Sequence, residues 1–252
     1  SWQYAFKDKG WLPLYWLNHD HPRLMSHYGS YRYPKASGKM LATALHMMRG
    51  TPFIYQGEEI GMTNYPFDDV MEFDDISSIA NYRNHLEKEP DHPRLALTKA
   101  AMTSRDNART AMQWSKDEYA GFSNVMPQCL INPNYKKINV AKQRDDEQSL
   151  WHHYKKLIYL RKESVYRDII VFGTYDMIDT ESSIFYNYIR RYKEDCLLII
   201  NSFSDKKLTY DLTSYAIEEA LLSNYKKIII KNNQLYLRPY ESIVLKVKEI
   251  NQ

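Results

Sequence analysis

The chain has 252 residues, 44% of them hydrophobic, which is enough for one large domain, or one and a half smaller ones, with a sizeable core. Its net charge of +3 comes from interspersed residues of both signs, and the absence of a Lys/Arg stripe argues against a nucleic-acid-binding protein. No apolar run approaches the roughly 18 residues that span a bilayer, so the sequence also argues against a membrane protein.

The first part of the chain alternates between helical and strand-like patterns. Helical spacing runs from Trp2 to Asp8 and from Lys35 to Arg49, and Gly50 ends the second of these helices. The apolar runs from Leu12 to Leu17 and from Phe53 to Tyr55 are typical of short buried strands. The order helix, strand, helix, strand predicts parallel βα units.

A long polar segment follows, from Met62 to about Gln128. It contains a predicted helix from Ile76 to Lys88, a break at Pro90 to Pro93 and an arginine-containing motif from Ser104 to Trp114. Long excursions of this kind at the carboxyl face of an α/β barrel usually shape the pocket, so we expect the same here.

The last part of the chain changes from helical to strand-like. Asn132 to Tyr135 predicts a turn, and Glu147 to Arg161 predicts a helix. After about Ser164, runs of β-branched and aromatic residues alternate with turn residues, which predicts an antiparallel β-sandwich. Its strands are expected at Ile169–Phe172, Ser183–Arg190, Cys196–Asn201, Lys227–Ile230 and Ser242–Val247.

The cysteines and the N-terminus bear on the cellular setting. Cys129 and Cys196 lie in different parts of the chain, so we expect no disulfide framework and a reducing, cytoplasmic compartment. The N-terminal segment lacks the apolar region of a signal peptide. It begins without Met, in what reads as the middle of a helix, so we expect the chain to be a piece of a longer protein.

A polar cluster stands at the end of the first predicted strand, where Asn18, His19 and Asp20 follow the apolar run. In a parallel α/β barrel, side chains at the carboxyl ends of strands project into the pocket. A carboxylate beside an imidazole can bind hydroxyl groups there or stabilise developing positive charge. The residues alone leave open the alternative that Asp20 caps the next helix while His19 is packed in the core.

The remaining charged residues favour structural roles or leave two readings open. The adjacent pair Glu58-Glu59 points to opposite faces of an extended segment, and Asp74-Asp75 is typical of a helix start. Arg105, Asp106 and Arg109 allow either a fork that holds a carboxylate or sugar hydroxyl, or a buried structural salt bridge. The sequence contains no zinc-ligand set, phosphate-binding glycine loop or Ser-His-Asp nucleophile elbow.

Several motifs, in order and over nearly the whole chain, resemble a single family. LYWLNHDHPR is similar to the fourth conserved region of the α-amylase family of glycoside hydrolases, and GTPFIYQGEEIGMTNYPF to its eighth strand and the loop beyond. SRDNARTAMQW, YAGFS, NPNYKKINV and YKKLIYLRKE resemble the oligo-1,6-glucosidase and dextran glucosidase branch, and LRPYESIVLKV resembles the last strand of that branch.

The resemblance implies the C-terminal part of a (β/α)8 TIM barrel followed by an antiparallel β-sandwich domain. Residues 1–167 would contain the end of the sixth helix, the seventh strand at Leu12–Leu17, the seventh helix, the eighth strand at Phe53–Tyr55, a long loop and the eighth helix. Residues 168–252 would form the C-terminal domain. Two barrel strands cannot close a barrel, so we expect association with a missing N-terminal barrel half or self-association.

The resemblance also implies a reaction, the retaining hydrolysis of α-1,6-linked glucosides, as in isomalto-oligosaccharides or dextran, from the non-reducing end. Such enzymes need a nucleophilic carboxylate and an acid/base carboxyl about 5 Å apart. The family supplies both from strands before the seventh, so the chain alone is expected to be inactive. Asp20 would be the third acidic residue, which stabilises the transition state, His19 would contact the same sugar, and Arg109 would fix the non-reducing glucose.

Three positions depart from the family pattern. His21 stands where relatives often carry Gln or Leu, toward the leaving-group sugar; Ser77 replaces a Glu that helps bind the acceptor-side glucose; and Ala111 replaces a usual Pro. The first two leave the bond preference open, and all three also fit a sequence no longer held to its function.

Two kinds of alternative follow. One is a non-catalytic carbohydrate-binding or structural remnant, and the other, within the family, is a trehalose-6-phosphate hydrolase or a sucrose isomerase. The expected partner is an oligosaccharide, and no cofactor or metal is expected.

Overall fold

The computed structural model describes residues 2–7 and 9–250. Its α-helices, in chain order, are α1 (Trp2–Ala5), α2 (Leu24–His27), α3 (Pro34–His46), α4 (Ile76–Lys88), α5 (Pro93–Thr103), α6 (Val140–Asp145), α7 (Leu150–Lys162) and α8 (Arg167–Phe172). Its strands are β1 (Pro13–Leu14), β2 (Thr51–Pro52), β3 (Asp176–Ile178), β4 (Asn187–Tyr192), β5 (Asp195–Asn201), β6 (Leu208–Asp211), β7 (Tyr215–Ser223), β8 (Ile230–Lys231), β9 (Gln234–Leu237) and β10 (Ser242–Glu249). Short 3-10 turns lie at Val70–Glu72, Arg105–Arg109, Glu118–Gly121 and Pro133–Lys136.

The chain divides into two compact units. The first comprises Ser1–Leu14, Ser30–Phe53 and His153–Gln252, and the second comprises Tyr15–Gly29 and Ile54–His152. All ten strands of the described residues belong to the first unit, whereas the second unit consists of helices, 3-10 turns and loops.

In the first unit, β1 pairs in parallel with β2, as expected for consecutive βα units. The amide of Phe53 donates to the carbonyl of Leu14 at 2.7 Å and extends this ladder by one bond. The expected strand extents, Leu12–Leu17 and Phe53–Tyr55, are wrong, because each strand has two residues and the second ends before Phe53. Each strand contains a proline, which donates no ladder hydrogen bond, and no third strand of the described residues joins this sheet.

Gly50 and two buried arginines fix the turn that leads from α3 into β2. Gly50 has a φ of +139°, and a Cβ at this position would lie 2.5 Å from the carbonyl oxygen of Leu12. Arg161 donates to three carbonyl oxygens of the turn at 2.5–3.1 Å, and Arg190 donates to a fourth, that of Met47. The carbonyl groups of His46, Met47, Met48 and Gly50, at and just beyond the end of α3, are therefore all bound.

The C-terminal strands of the first unit form two antiparallel sheets. The five-stranded sheet has the order β3-β4-β5-β10-β7, and the three-stranded sheet has the order β6-β9-β8. Leu198 and Leu245 from the larger sheet and Leu235 and Leu237 from the smaller one are buried in a shared core. This arrangement confirms the predicted antiparallel β-domain.

Several predicted elements of the first unit need correction. Ile169–Phe172 was expected as a strand and instead forms most of α8, with Ile169 and Ile170 buried. A four-residue apolar run fits a buried helix as well as a strand, which is why the pattern misled. Helix α1 ends at Ala5, and the predicted end at Asp8 lies outside the described residues.

In the second unit, α4 has the predicted bounds and packs with α5. Phe67, Phe73, Leu97 and Ala100 form one buried apolar cluster of this unit, and Ile60, Met62 and Met112 form another. The sequence pattern did not predict α5, because Pro93, read as part of a break, is the first residue of that helix.

Two further expectations concern the cysteines and the membrane. Cys129 and Cys196 are both free thiols, which agrees with the absence of a disulfide framework. Across residues 2–7 and 9–250, no helix is both long enough and apolar enough to cross a bilayer.

Candidate active site

Asn18 shapes the turn that presents Asp20. The amide of Asp20 donates to Asn18 Oδ1 at 2.8 Å, and the amide of His21 donates to the Asn18 carbonyl at 3.2 Å. Asp20 does not cap α2, whose N-cap residue is Arg23, and the side chain of His19 is 69% exposed. The reading of Asp20 as a helix cap beside a packed His19 is therefore excluded.

Three basic side chains surround the carboxylate of Asp20. Arg109 Nη2 lies 3.0 Å and Arg105 Nη1 lies 3.5 Å from Oδ1, while His19 Nε2 lies 3.2 Å from Oδ2. The side chain of Asp20 remains 42% exposed, so its oxygens keep room for a further donor. A half-exposed carboxylate of this kind can accept hydrogen bonds from sugar hydroxyl groups.

Arg109 holds the Asp20 turn at two points. Besides its ion pair with Asp20, its Nε donates to the carbonyl oxygen of His19 at 3.2 Å. The planar guanidinium therefore fixes the direction of the Asp20 side chain relative to its own backbone.

Arg105 connects Asp20 to the start of α4. Its Nη2 lies 2.5 Å from Asp75 Oδ1 and 3.5 Å from Ser77 Oγ. The hydrogen bond from Arg105 holds the pKa of Asp75 well below the usual range. The Nε of Arg105 is buried and has no hydrogen-bond partner among the described residues.

A buried layer supports these side chains. Arg23, only 1% exposed, donates to the carbonyl oxygens of Asn107 and Ala108 at 2.9 and 3.1 Å and to that of Gln56 at 2.6 Å. Burial lowers the pKa of Arg23 to about 10, which leaves it protonated at neutral pH. These hydrogen bonds therefore hold the segment between Arg105 and Arg109 in place.

Asp106 has a structural role in the same layer. Its Oδ2 accepts the backbone amides of Asp74 and Asp75 at 3.0 and 2.9 Å. The two roles considered for Arg105, Asp106 and Arg109 are therefore both present, but in different residues. Asp106 orders the start of α4, while the two arginines contact Asp20.

Other candidates fall outside this cluster. The ring of His21 lies 6.1 Å from that of Tyr15 and makes none of the ion pairs of Asp20 found in residues 2–7 and 9–250. Glu59 accepts the amide of Gly57 at 2.8 Å, and burial raises its pKa, while Glu58 is buried. The structural role expected for this pair agrees with these positions, and Asp75 is the N-cap of α4 as expected for a helix start.

The arrangement can bind and orient a polar ligand, but it does not hold the two carboxyl groups of a retaining glycosidase. Asp75 is buried and committed to Arg105, so it offers no second free carboxylate beside Asp20. Within the described residues, no group of three or more His, Cys, Asp or Glu side chains could hold a metal ion.

Sequence reasoning missed the residues of the supporting layer. Arg23 and Asn107 carry no pattern that separates them from surface residues, since both belong to polar segments. The one available signal was the position of Arg23 directly before the apolar pair Leu24-Met25, which starts α2.

Comparison with known proteins gives a consistent picture. A family model described as the alpha amylase catalytic domain matches residues 1–173, and one described as the alpha-amylase SusG C-terminal domain matches residues 186–244. The oligo-1,6-glucosidases of Parageobacillus thermoglucosidasius and Bacillus cereus are 43% and 41% identical to the chain over 98% of its length. The crystal structure of Bacillus licheniformis trehalose-6-phosphate hydrolase superimposes with a TM-score of 0.90 at 39% identity, over 98% of the chain.

The chain spans less than half of these relatives, 44% and 45% of the two glucosidases and 45% of the hydrolase structure. The match to the catalytic-domain model nevertheless covers more than half of the chain itself. The fold is that of the C-terminal part of a barrel enzyme with its β-domain, and the chain belongs to the α-amylase family of glycoside hydrolases.

Proposed function

We propose that the chain forms the C-terminal part of an α-glucosidase that cleaves α-1,6-linked glucosides from the non-reducing end, with retention of configuration. The observation that carries this proposal is the half-exposed carboxylate of Asp20, held by Arg109 and flanked by His19. The similarity to two oligo-1,6-glucosidases supports the assignment. Isomalto-oligosaccharides or dextran would be the substrates that match an α-1,6 specificity.

In this proposal Asp20 acts on the sugar whose glycosidic bond is broken. Glycoside cleavage passes through an oxocarbenium-like transition state, and a carboxylate that accepts sugar hydroxyls stabilises the positive charge that develops there. His19 contacts the same ring, and Arg109 keeps the carboxylate aimed while fixing the non-reducing glucose. His21 and Ser77 lie toward the leaving-group sugar and set the preference between bonds.

The nucleophile and the acid/base group would come from outside the chain. We therefore propose that the chain alone is inactive and that its partner is the N-terminal half of the barrel or, in its absence, a second copy. Trp11 and Phe53, which are 41% and 57% exposed beside the two-stranded parallel sheet, support a further covering layer in the complete protein. The free thiols support a cytoplasmic location.

A second candidate, trehalose-6-phosphate hydrolysis, is favoured by the similarity to the hydrolase structure and by the two half-exposed guanidinium groups beside Asp20. Sucrose isomerisation is the third possibility within the family. A non-catalytic carbohydrate-binding or structural remnant is the alternative that is not an enzyme.

The test compares the chain with a fusion in which the N-terminal part of the Parageobacillus thermoglucosidasius oligo-1,6-glucosidase precedes it. The chain alone should not hydrolyse p-nitrophenyl α-glucoside, and the fusion should. Among isomaltose, trehalose 6-phosphate and sucrose, the fusion should prefer isomaltose. Turnover by the purified chain, or a fully folded fusion without activity, would contradict the proposal, the second outcome in favour of a remnant.

A further inference from the structure

The guanidinium group of Arg105 lies between two carboxylates that hold it to different degrees. Its Nη2 lies 2.5 Å from Oδ1 of Asp75, whereas its Nη1 lies 3.5 Å from Oδ1 of Asp20. The side chain of Asp75 is 2% exposed and that of Asp20 is 42% exposed, so water screens the second ion pair more than the first. Arg105 is therefore bound by Asp75 and only approaches Asp20.

Asp75 is itself fixed in place at the start of α4. Its Oδ1 accepts the amide of Ser77 at 3.1 Å, and its Oδ2 accepts the hydroxyl group of Ser78 at 2.9 Å. Its own amide donates to Oδ2 of Asp106 at 2.9 Å. The hydrogen bond from Arg105 outweighs burial and keeps the pKa of Asp75 well below its usual range, so this carboxylate is ionised at neutral pH. A buried, charged and immobile carboxylate therefore anchors the guanidinium group.

A guanidinium group without this anchor would compete with a sugar for Asp20. Arginine and carboxylate groups form forked pairs, in which two N–H groups bind both carboxylate oxygens at about 2.8 Å. In the structure Arg105 approaches Asp20 through Nη1 and Arg109 contacts it through Nη2, both at Oδ1. A forked pair with Arg105 would occupy Oδ1 and Oδ2 together and would cover the oxygens that are open to sugar hydroxyl groups.

We propose that Asp75 is a positioning residue, which holds Arg105 back from Asp20 and so leaves the Asp20 carboxylate open to a sugar. The proposal rests on the function proposed above, in which Asp20 binds the sugar whose glycosidic bond is broken. Asp75 acts through Arg105 and does not contact the substrate. A closed pair of Arg105 with Asp20 would be a state of the free enzyme, so it would lower the fraction that can bind substrate and raise KM, with kcat unchanged.

The first measurement is the crystal structure of the full chain and that of its Asp75→Asn variant. Asparagine keeps the oxygen that caps the helix but loses the charge that holds Arg105. In the variant, we expect the distance between Arg105 and the nearer oxygen of Asp20 to shorten from 3.5 Å to about 2.8 Å. An unchanged distance would overturn the proposal, and this readout does not depend on activity.

The second measurement is the kinetics of the fusion with p-nitrophenyl α-glucoside. Asp75→Asn should raise KM by at least about threefold and leave kcat within about twofold, because a half-exposed ion pair then has to be broken before the sugar binds. Asp69→Asn is the matched control, since Asp69 also caps a helical turn, with its carboxylate accepting the amide of Met71 at 2.9 Å. This control should change neither value.

Adding Arg105→Met to Asp75→Asn distinguishes this role from a merely structural one. When the guanidinium that blocks Asp20 is removed, KM of the double variant should fall at least about twofold below that of Asp75→Asn alone. Two losses that are only structural would add instead, so a KM that stays the same or rises further would overturn the proposal. An inactive fusion would contradict the proposed function, and the distance measured in the full chain would then decide the role of Asp75.

Discussion

Arg109 contacts Asp20 and its neighbour at once: its Nη2 lies 3.0 Å from Asp20 Oδ1, while its Nε donates to the carbonyl of His19 at 3.2 Å. One planar group thereby ties the carboxylate to the backbone turn that carries it. The direction of Asp20, and not only its charge, depends on this contact.

Replacing Arg109 by Lys should show whether the positive charge alone or the contact with both Asp20 and the His19 carbonyl is needed. Lysine keeps the positive charge but cannot reach both acceptors with a rigid fork, so kcat/KM of the fusion for p-nitrophenyl α-glucoside should fall by at least about tenfold. Arg94→Lys is the matched control, because Arg94 pairs with Asp68 on the exposed surface. An Arg109→Lys fusion with the kcat/KM of the Arg94→Lys fusion would contradict the two-point role.

Arg23 should matter for stability rather than for direct ligand contact. Arg23→Met leaves several buried carbonyl oxygens without a donor, so the free energy of unfolding should fall by about 3 kcal/mol or more in urea denaturation. Arg83→Met, on the exposed side of α4, should change it by less than about 0.5 kcal/mol. Equal effects of the two substitutions would show that the buried arginine is not what anchors the site.

The sequence predicted the elements that have a regular apolar pattern. It did not predict the elements whose conformation depends on pairing with a distant strand. Helix α4 and strand β5 follow their patterns closely, whereas β7 contains Glu218 and Glu219 and gave no strand signal. Its partner β10 holds it in place, and no local preference of the sequence reveals that pairing. Strands β3, β6 and β9 were missed for the same reason, and α8 and α5 were misread at an apolar run and at a proline.

The site shows the same division. Asp20 stood out because a polar triplet ends an apolar run, and Arg109 because it belongs to a recognisable motif. The link from Asp75 through Arg105 to Asp20 joins segments that are far apart in the sequence, so nothing in the linear order of residues predicts it.

Ser77→Glu should give the guanidinium group of Arg105 an additional carboxylate partner. A carboxylate at this position in the first turn of α4 can pair with the guanidinium, whose Nε has no partner among the described residues, and it also suits the helix N-terminus. We expect the urea concentration at the midpoint of unfolding to rise and the preference of the fusion for isomaltose over sucrose to increase. Ser77→Gln, of similar size without the charge, should do neither; if both variants behave alike, the charge of Arg105 is not involved.

Acid should destabilise the chain through two buried histidines. Burial lowers the pKa of His46 to about 4 and also lowers that of His153, whereas an unfolded histidine has a pKa of about 6.5. As the pH falls through this window the unfolded chain binds protons that the folded chain does not. The contribution of these neutral histidines to the free energy of unfolding is therefore fully present above about pH 6.5. For His46 alone, that contribution should fall by about 2 kcal/mol by pH 5.

Urea denaturation between pH 8 and pH 5 measures this effect. His46→Gln should reduce the slope of unfolding free energy against pH, while His92→Gln, an exposed histidine, should leave it unchanged. A slope that survives His46→Gln unaltered would assign the acid sensitivity to other groups.

The most direct test of the account is the kcat of the fusion after Asp20→Asn, measured beside Asp74→Asn. Asparagine keeps the size of Asp20 but removes the negative charge that stabilises the oxocarbenium-like transition state, so kcat should fall by about 10²–10³-fold. Asp74 is exposed, and its replacement should leave kcat within about twofold of the unaltered fusion. An Asp20→Asn fusion that is folded and retains the kcat of the Asp74→Asn fusion would contradict the role assigned to Asp20.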